Sequence, residues 1–173
     1  MKPLKLASIT ALALAALTSA GAAGSYTPPA VSPPIMPPAS MAHDWTGWYG
    51  DAFVGRWTTP PINSFFGANI GYNMSDGSLV YGGEVSVYRD PVWNFSNIAL
   101  SGRVGATLSD NLLGFGRLGI SRDISPATNL VLFGLGAQYA VSSNMYLRGE
   151  VVREQSFGGG GDTSLRVGAG WEF

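Results

Sequence analysis

Ionisable residues are sparse in this chain, and their placement suggests specific chemistry. Asp51, Glu84, Glu150 and Glu172 share the polar parity of alternating segments with Arg103, Arg117, Arg148 and Arg166. Acids and bases placed so can line a narrow ion path. They can also neutralise one another as a salt-bridged plug, because isolated charges in a confined interior are costly. A second set, Arg56, Arg89, Arg122 and Arg153, ends alternate segments on the opposite, apolar parity. A guanidinium is a planar fork that suits phosphate and is less strongly hydrated than an ammonium, so this layer fits lipid phosphates. The same arginines have local partners in sequence, in Arg89-Asp90, Arg122-Asp123 and Arg153-Glu154.

Catalytic chemistry finds little to work with. The chain has no cysteine, which excludes disulfides, thiolate zinc sites and a cysteine nucleophile. Its one histidine, His43, precedes the first alternating segment, so Ser–His catalysis has no base within the repeating region. A carboxylate pair such as Glu150 with Glu154 is the remaining acid–base arrangement, and both have structural explanations. No catalytic residue, metal site or cofactor is expected. Gly114-Phe-Gly116-Arg-Leu-Gly119 has the spacing of a dinucleotide-binding turn. That motif must open a helix, whereas Ser121-Arg122-Asp123 and Pro126 predict a loop here. Gly158 to Gly161 with Asp162 reads as one glycine-rich loop tip, without the repetition of calcium-binding nonapeptides. A formal net charge of −1 leaves no footprint for nucleic acid.

The elements that must hold these residues read as strands. In the last ten residues Leu165, Val167, Ala169, Trp171 and Phe173 share one parity, against Arg166, Gly168, Gly170 and Glu172 on the other. Side chains alternate with a period of two along a strand, and about ten residues suit a tilted strand crossing a bilayer. Similar segments fall at 46–57, 65–74, 79–88, 97–108, 112–121, 130–141 and 145–153, with the facing of the first and fifth less clearly marked. Ser75-Asp76-Gly77, Ser109-Asp110-Asn111 and Ser142-Ser143-Asn144 predict tight hairpins, with positive φ accepted by Asp, Asn or Gly. Longer connections are expected at 58–64, 89–96, 122–128 and 154–163. Alternation of short and longer connections around an even strand number is how bacterial outer-membrane barrels are built.

Composition agrees. Hydrophobic residues make up 46% and charged residues 12% of 173, yet beyond the leader no apolar run is long enough for a membrane helix. Residues 1–23 have the three parts of a secretory signal: Lys2 and Lys5, an apolar stretch from Leu6 to Leu17, and the small residues Ala20-Gly21-Ala22, with cleavage expected after Ala22 or Ala23. Residues 24–44 carry prolines at 28, 29, 33, 34, 37 and 38, which favour an extended periplasmic tether. Residues 45–173 form the third region.

That region begins Trp45-Thr46-Gly47-Trp48-Tyr49 and ends at Phe173. A Pro-rich tether entering such a strand, with a terminal Phe, resembles the small outer-membrane β-barrel proteins of alphaproteobacteria, within the OmpA/OmpX-like, opacity-type, porin-family group. The resemblance implies a structural surface barrel in a Gram-negative outer membrane. It also implies that Phe173 serves as the signal read by the barrel-assembly machinery.

Alternation leaves open which parity meets solvent, since a secreted ligand-binding barrel would put the apolar set inside. The polar parity carries many glycines and no lysine, which suits the filled interior of a small barrel better than a water-facing sheet. With the termini in the periplasm, Trp48, Tyr72, Tyr81, Tyr139, Trp171 and Phe173 fall together as an aromatic girdle. The arginines Arg56, Arg89, Arg122 and Arg153 fall at the other edge, where lipopolysaccharide phosphates would lie. The expectation is an eight-stranded antiparallel up-and-down transmembrane β-barrel. Its partners would be outer-membrane lipid and lipopolysaccharide, with lateral association with other membrane proteins also open. A narrow channel is the alternative.

Overall fold

Period-two alternation over eight segments, with prolines 60, 61 and 91 confined to the connections, leaves the backbone one regular option. The structure, a computed structural model, describes residues 42–124 and 127–173. The leader, its cleavage site, the tether up to Met41 and Ser125-Pro126 lie outside the described residues. The strands are β1 (Gly47–Trp57), β2 (Ser64–Asp76), β3 (Leu79–Asp90), β4 (Phe95–Ser109), β5 (Leu112–Ile124), β6 (Ala127–Ala140), β7 (Met145–Ser156) and β8 (Gly161–Glu172). Each pairs antiparallel with the next, and β1 pairs with β8, from Tyr49↔Glu172 to Trp57↔Ser164, so the sheet closes on itself. Closure removes both sheet edges.

Strands of 11 to 15 residues exceed the expected ten, and the additions come out of the connections. The expected loops 58–64, 89–96 and 154–163 shorten to 58–63, 91–94 and 157–160. Residues 122–124 and 127–128, expected in a loop, are strand as well. Pairing continues outward because these residues keep the period of two and find partners in Asp90↔Phe95, Asp123↔Thr128 and Glu154↔Asp162. The glycine-spaced run from Gly114 to Gly119 therefore lies within β5, and Ser121-Arg122-Asp123 continue that strand instead of forming the expected loop.

The tight turns differ in mechanism from expectation. Gly77 adopts φ 62°, but Asp76, Asp110, Asn111 and Asn144 do not enter the left-handed region; among the described residues only Asn94, in the β3–β4 connection, does so without being glycine. The β6–β7 turn is held differently. The N–H groups of Val141 and Ser142 donate to the Met145 carbonyl (2.9 and 3.3 Å), and Ser142 Oγ accepts from the Met145 N–H (3.2 Å).

The apolar parity points outward throughout. On β6, Leu132 is fully buried, while Leu135, three residues on and of opposite parity, is 73% exposed. The facing of β1 and β5 is resolved by the same test. Tyr49, Asp51, Phe53 and Trp57 point inward on β1, as do Leu113, Phe115, Arg117 and Ser121 on β5. Val54, Leu118 and Ile120 point outward. The core of this fold is thus the bore of the barrel, filled with side chains as expected at eight strands.

Candidate functional site

Inward parity on β1, β3, β4, β5 and β7 brings Asp51, Glu84, Arg103, Arg117, Arg148 and Glu150 to one level of the bore. Glu84 is the hub. Both terminal nitrogens of Arg148 donate to its carboxylate (2.5 and 3.1 Å), Arg117 lies at 2.7 Å and the Tyr49 hydroxyl donates at 2.8 Å. Arg148 also reaches Asp51 (3.0 Å) and Glu150 (2.8 Å), and Arg117 reaches Glu150 at 3.4 Å. Asp51 accepts from Asn69 (2.6 Å) and Tyr146 (3.0 Å). Arg103 lies over the Phe115 ring at 4.0 Å and donates to Gln138 at 2.6 Å, leaving Glu84 at 3.8 Å. Three positive and three negative groups balance, each nearly solvent-free, so the layer is an electroneutral plug.

Two residues expected in that network lie elsewhere. Arg166 sits further toward the distal end, the one away from the chain terminus. There it faces the rings of Phe53, Phe65 and Tyr88 at 5.1 to 5.4 Å, with Glu154 at 3.5 Å. Glu172 sits at the proximal end, where its Oε2 lies 2.6 Å from His43 Nε2. Strand offset explains both: Arg166 is opposite Gly55, while Glu172 is opposite Tyr49 at the start of β1.

The bore is also more aromatic than its glycine content implies. Phe53, Trp57, Phe65 and Tyr88, with Phe95 against them, seal it on the distal side of the charges. Glycines on the same parity make the room. A Cβ on Gly55 would clash with the edge of the Phe65 ring, within 2.8 Å of three of its carbons. On the proximal side Trp45, Tyr49, Val80, Leu113, Ala140 and Tyr146 form a second seal. Trp45 belongs to the segment before β1, which folds across the mouth. Its neighbour His43 donates its backbone N–H to the Asp110 carbonyl (2.8 Å) and packs edge-on to Trp45 at 4.4 Å. The Thr46 N–H donates to Asp44 at 2.9 Å, which holds that carboxyl below the usual carboxylate range. His43, expected in the tether, is therefore part of the closure of the proximal mouth, half-buried with its side chain turned in against Glu172.

Arg56, Arg89, Arg122 and Arg153 project outward at the distal ends of β1, β3, β5 and β7. Their sequence neighbours Asp90, Asp123 and Glu154 project inward, since adjacent strand residues face opposite sides, so the expected local pairing does not form. Arg89 donates to Asn94 (2.8 Å), and Arg153 donates to Thr163 (3.3 Å) and Gln155 (3.2 Å). Among the described residues none of the four has a carboxylate within salt-bridge distance. Trp48, Tyr72, Tyr81, Tyr139, Trp171 and Phe173 all project outward near the proximal end, with Trp48 edge-on to Tyr72 at 5.4 Å. The Phe173 N–H donates to the Trp48 carbonyl at 3.0 Å, tying the chain end to β1.

Between these layers the outer wall is Val, Leu, Ile, Ala, Gly and Phe on all eight strands, whereas a soluble monomer rarely exposes an apolar patch beyond a few hundred Å². A wall of this kind is compatible with lipid and not with water. The barrel is of the transmembrane type. No protein-family model and no curated protein matches the sequence; solved structures do match its fold. A de novo designed transmembrane β-barrel is 18% identical with a TM-score of 0.57, covering 77% of this chain and 100% of its own. Ail, the attachment invasion locus protein of Yersinia pestis, is 13% identical at TM-score 0.55, covering 74% and 99%. Neisserial surface protein A is 16% identical at TM-score 0.51, covering 74% and 98%. At these identities the likeness is one of fold.

Two inward residues that the sequence offered as partners of neighbouring arginines instead hold the distal side of the bore. Glu154 accepts from Tyr88 (2.7 Å), and Asp90 accepts from Trp57 Nε1 (3.2 Å) and from the N–H groups of Val92 and Trp93. Their parity marked them in the sequence. Their adjacency to arginines drew them into the wrong pairs.

Proposed function

We propose that this protein is a structural barrel of a Gram-negative outer membrane, of the OmpA/OmpX-like, opacity-type kind found in alphaproteobacteria, with no enzymatic activity. The observation that carries the reading is the bore: an electroneutral layer of three arginines and three carboxylates, closed by aromatic side chains on both sides. Such an interior gives stability and leaves no path for solutes, so function falls to the outer wall and the rims. The distal arginines Arg56, Arg89, Arg122 and Arg153 hold phosphates of lipopolysaccharide, and the outward aromatics from Trp48 to Phe173 form a girdle at the periplasmic interface. The cleaved leader exports the chain, the Pro-rich segment tethers it in the periplasm, and Phe173 directs insertion by the assembly machinery.

The test combines four measurements on the full chain. The protein should fractionate with outer membranes and migrate faster unheated than heated in detergent gels. It should also give no stable single-channel current in planar bilayers. Replacing the four arginines with glutamine should reduce lipopolysaccharide co-purification. Recovery in the soluble periplasm would overturn the membrane assignment, a stable current dependent on Asp51 or Arg103 would favour the narrow channel, and unchanged co-purification would remove the phosphate role.

A further inference from the structure

The distal seal does not reach the top of the barrel. Above it, the inward faces of the strand ends line a cavity of about 270 Å³, bordered by Trp93 of the β3–β4 connection and Gly160 of the β7–β8 connection. Four aromatic residues line it, Trp57, Tyr88, Trp93 and Phe95, with Trp93 and Phe95 stacked at 6.1 Å. Its ionisable lining is of one sign: Asp123, Glu154 and Asp162. Arg166, below the cavity, lies 3.5 Å from Glu154 and offsets that one charge. Asp123 receives a hydrogen bond from Asn97 Nδ2 at 2.7 Å, a neutral donor that leaves its charge in place. Among the described residues only Glu154 of these three acids has an ion-pair partner, so the lining keeps a net negative charge.

We propose that this vestibule binds an organic cation: an alkylammonium or alkylguanidinium group on a short apolar stem. Ring faces attract a cation through the quadrupole of their π-systems, most strongly when the site excludes water, and the carboxylates supply the counter-charge. A divalent metal is disfavoured, because among the described residues no group of three or more acidic or histidine side chains converges closely enough to hold one. A neutral sugar or alcohol would leave Asp123 and Asp162 uncompensated. The cation arrives either as a free small amine or as a basic side chain of a surface peptide, and the recognition chemistry is the same for both.

The experiment follows the indole N–H signals of the folded full chain in detergent micelles by NMR. The probes are n-butylguanidinium, n-butylammonium and an N- and C-blocked Gly-Arg-Gly peptide, with 1-pentanol and sodium chloride as controls. The two alkyl cations and the peptide should each shift the signals of Trp57 and Trp93 saturably, leaving those of Trp48 and Trp171 on the outer wall unmoved. Pentanol and sodium should do neither. Tighter binding of the peptide than of butylguanidinium identifies a protein side chain as the source, and the reverse a free solute. Asp123→Asn combined with Asp162→Asn should weaken cation binding at least tenfold while retaining heat-modifiable migration. Should that double variant not fold, Trp93→Leu in the β3–β4 connection gives the same test, read at the Trp57 indole, with at least a threefold loss expected. Equal shifts at all indoles, equal response to pentanol, or unchanged affinity in a folded variant would overturn the proposal.

Discussion

Replacing Glu84 with glutamine keeps the shape of the hub and removes its charge. The wild-type carboxylate is shared by Arg148, which donates to it twice, by Arg117 at 2.7 Å and by the Tyr49 hydroxyl at 2.8 Å. The variant leaves Arg103, Arg117 and Arg148 facing only Asp51 and Glu150 in an interior that water does not reach. Removing one partner of a buried ion pair costs about 3–5 kcal/mol. Because Arg148 and Arg117 each retain a second carboxylate, the lower end applies, about 3 kcal/mol, or on the order of a hundredfold in the folding equilibrium. Equilibrium urea titration in phospholipid vesicles, followed by tryptophan fluorescence and by the gel shift of the folded form, measures the loss. Adding Arg148→Met to Glu84→Gln restores two charges against two, so the double variant should be less destabilised than the sum of the singles by at least about 1 kcal/mol. A Glu84→Gln variant within about 0.5 kcal/mol of wild type, together with additive singles, would refute the reasoning that a shared, solvent-free carboxylate holds this layer.

Other consequences are as direct. Leu100→Arg places a charge on the lipid face level with the central network and should cost about 2–4 kcal/mol in the same titration, against at most about 1 kcal/mol for an arginine introduced at Val87 nearer the rim. Gly55→Ala drives a methyl into the Phe65 ring and should cost about 1–3 kcal/mol, with part of the loss recovered when Phe65→Ala is added. His43→Ala removes the contact with Glu172 and should loosen the segment over the proximal mouth. Hydrogen exchange at Trp45 and Thr46 should accelerate at least tenfold while protection in β4 and β5 is unchanged.

The strand set, its closure and the outward parity were legible because each strand of a membrane barrel meets two different solvents, and the period of two records that directly. Leu165, Val167 and Trp171 on one side, with Arg166 on the other, suffice to orient β8. Strand ends were less legible. Asp90, Asp123 and Glu154 look like loop residues by composition, and only partners on neighbouring strands extend the ladder through them. The central charges were legible as a set, but their division into layers depends on strand offset, which moved Arg166 and Glu172 away from the rest. The aromatic seals were hidden for a different reason. Tyr49, Phe53 and Phe65 are apolar residues on the polar parity, and what admits them is the glycine on an adjacent strand, a relation visible only once the register is fixed. Likewise His43 and Trp45 alternate with nothing before them, so their place over the mouth has no signature in the sequence.

A nitroxide scan of β4 in reconstituted phospholipid vesicles tests most directly whether the apolar wall faces lipid around a closed interior. Labels at Ile98, Leu100, Gly102, Val104 and Ala106 should be relaxed by lipid-soluble oxygen and shielded from a water-soluble nickel chelate, while labels at Ala99, Ser101 and Arg103 are shielded from both. An opposite phase, or free access of the nickel chelate to position 101 or 103, would contradict it.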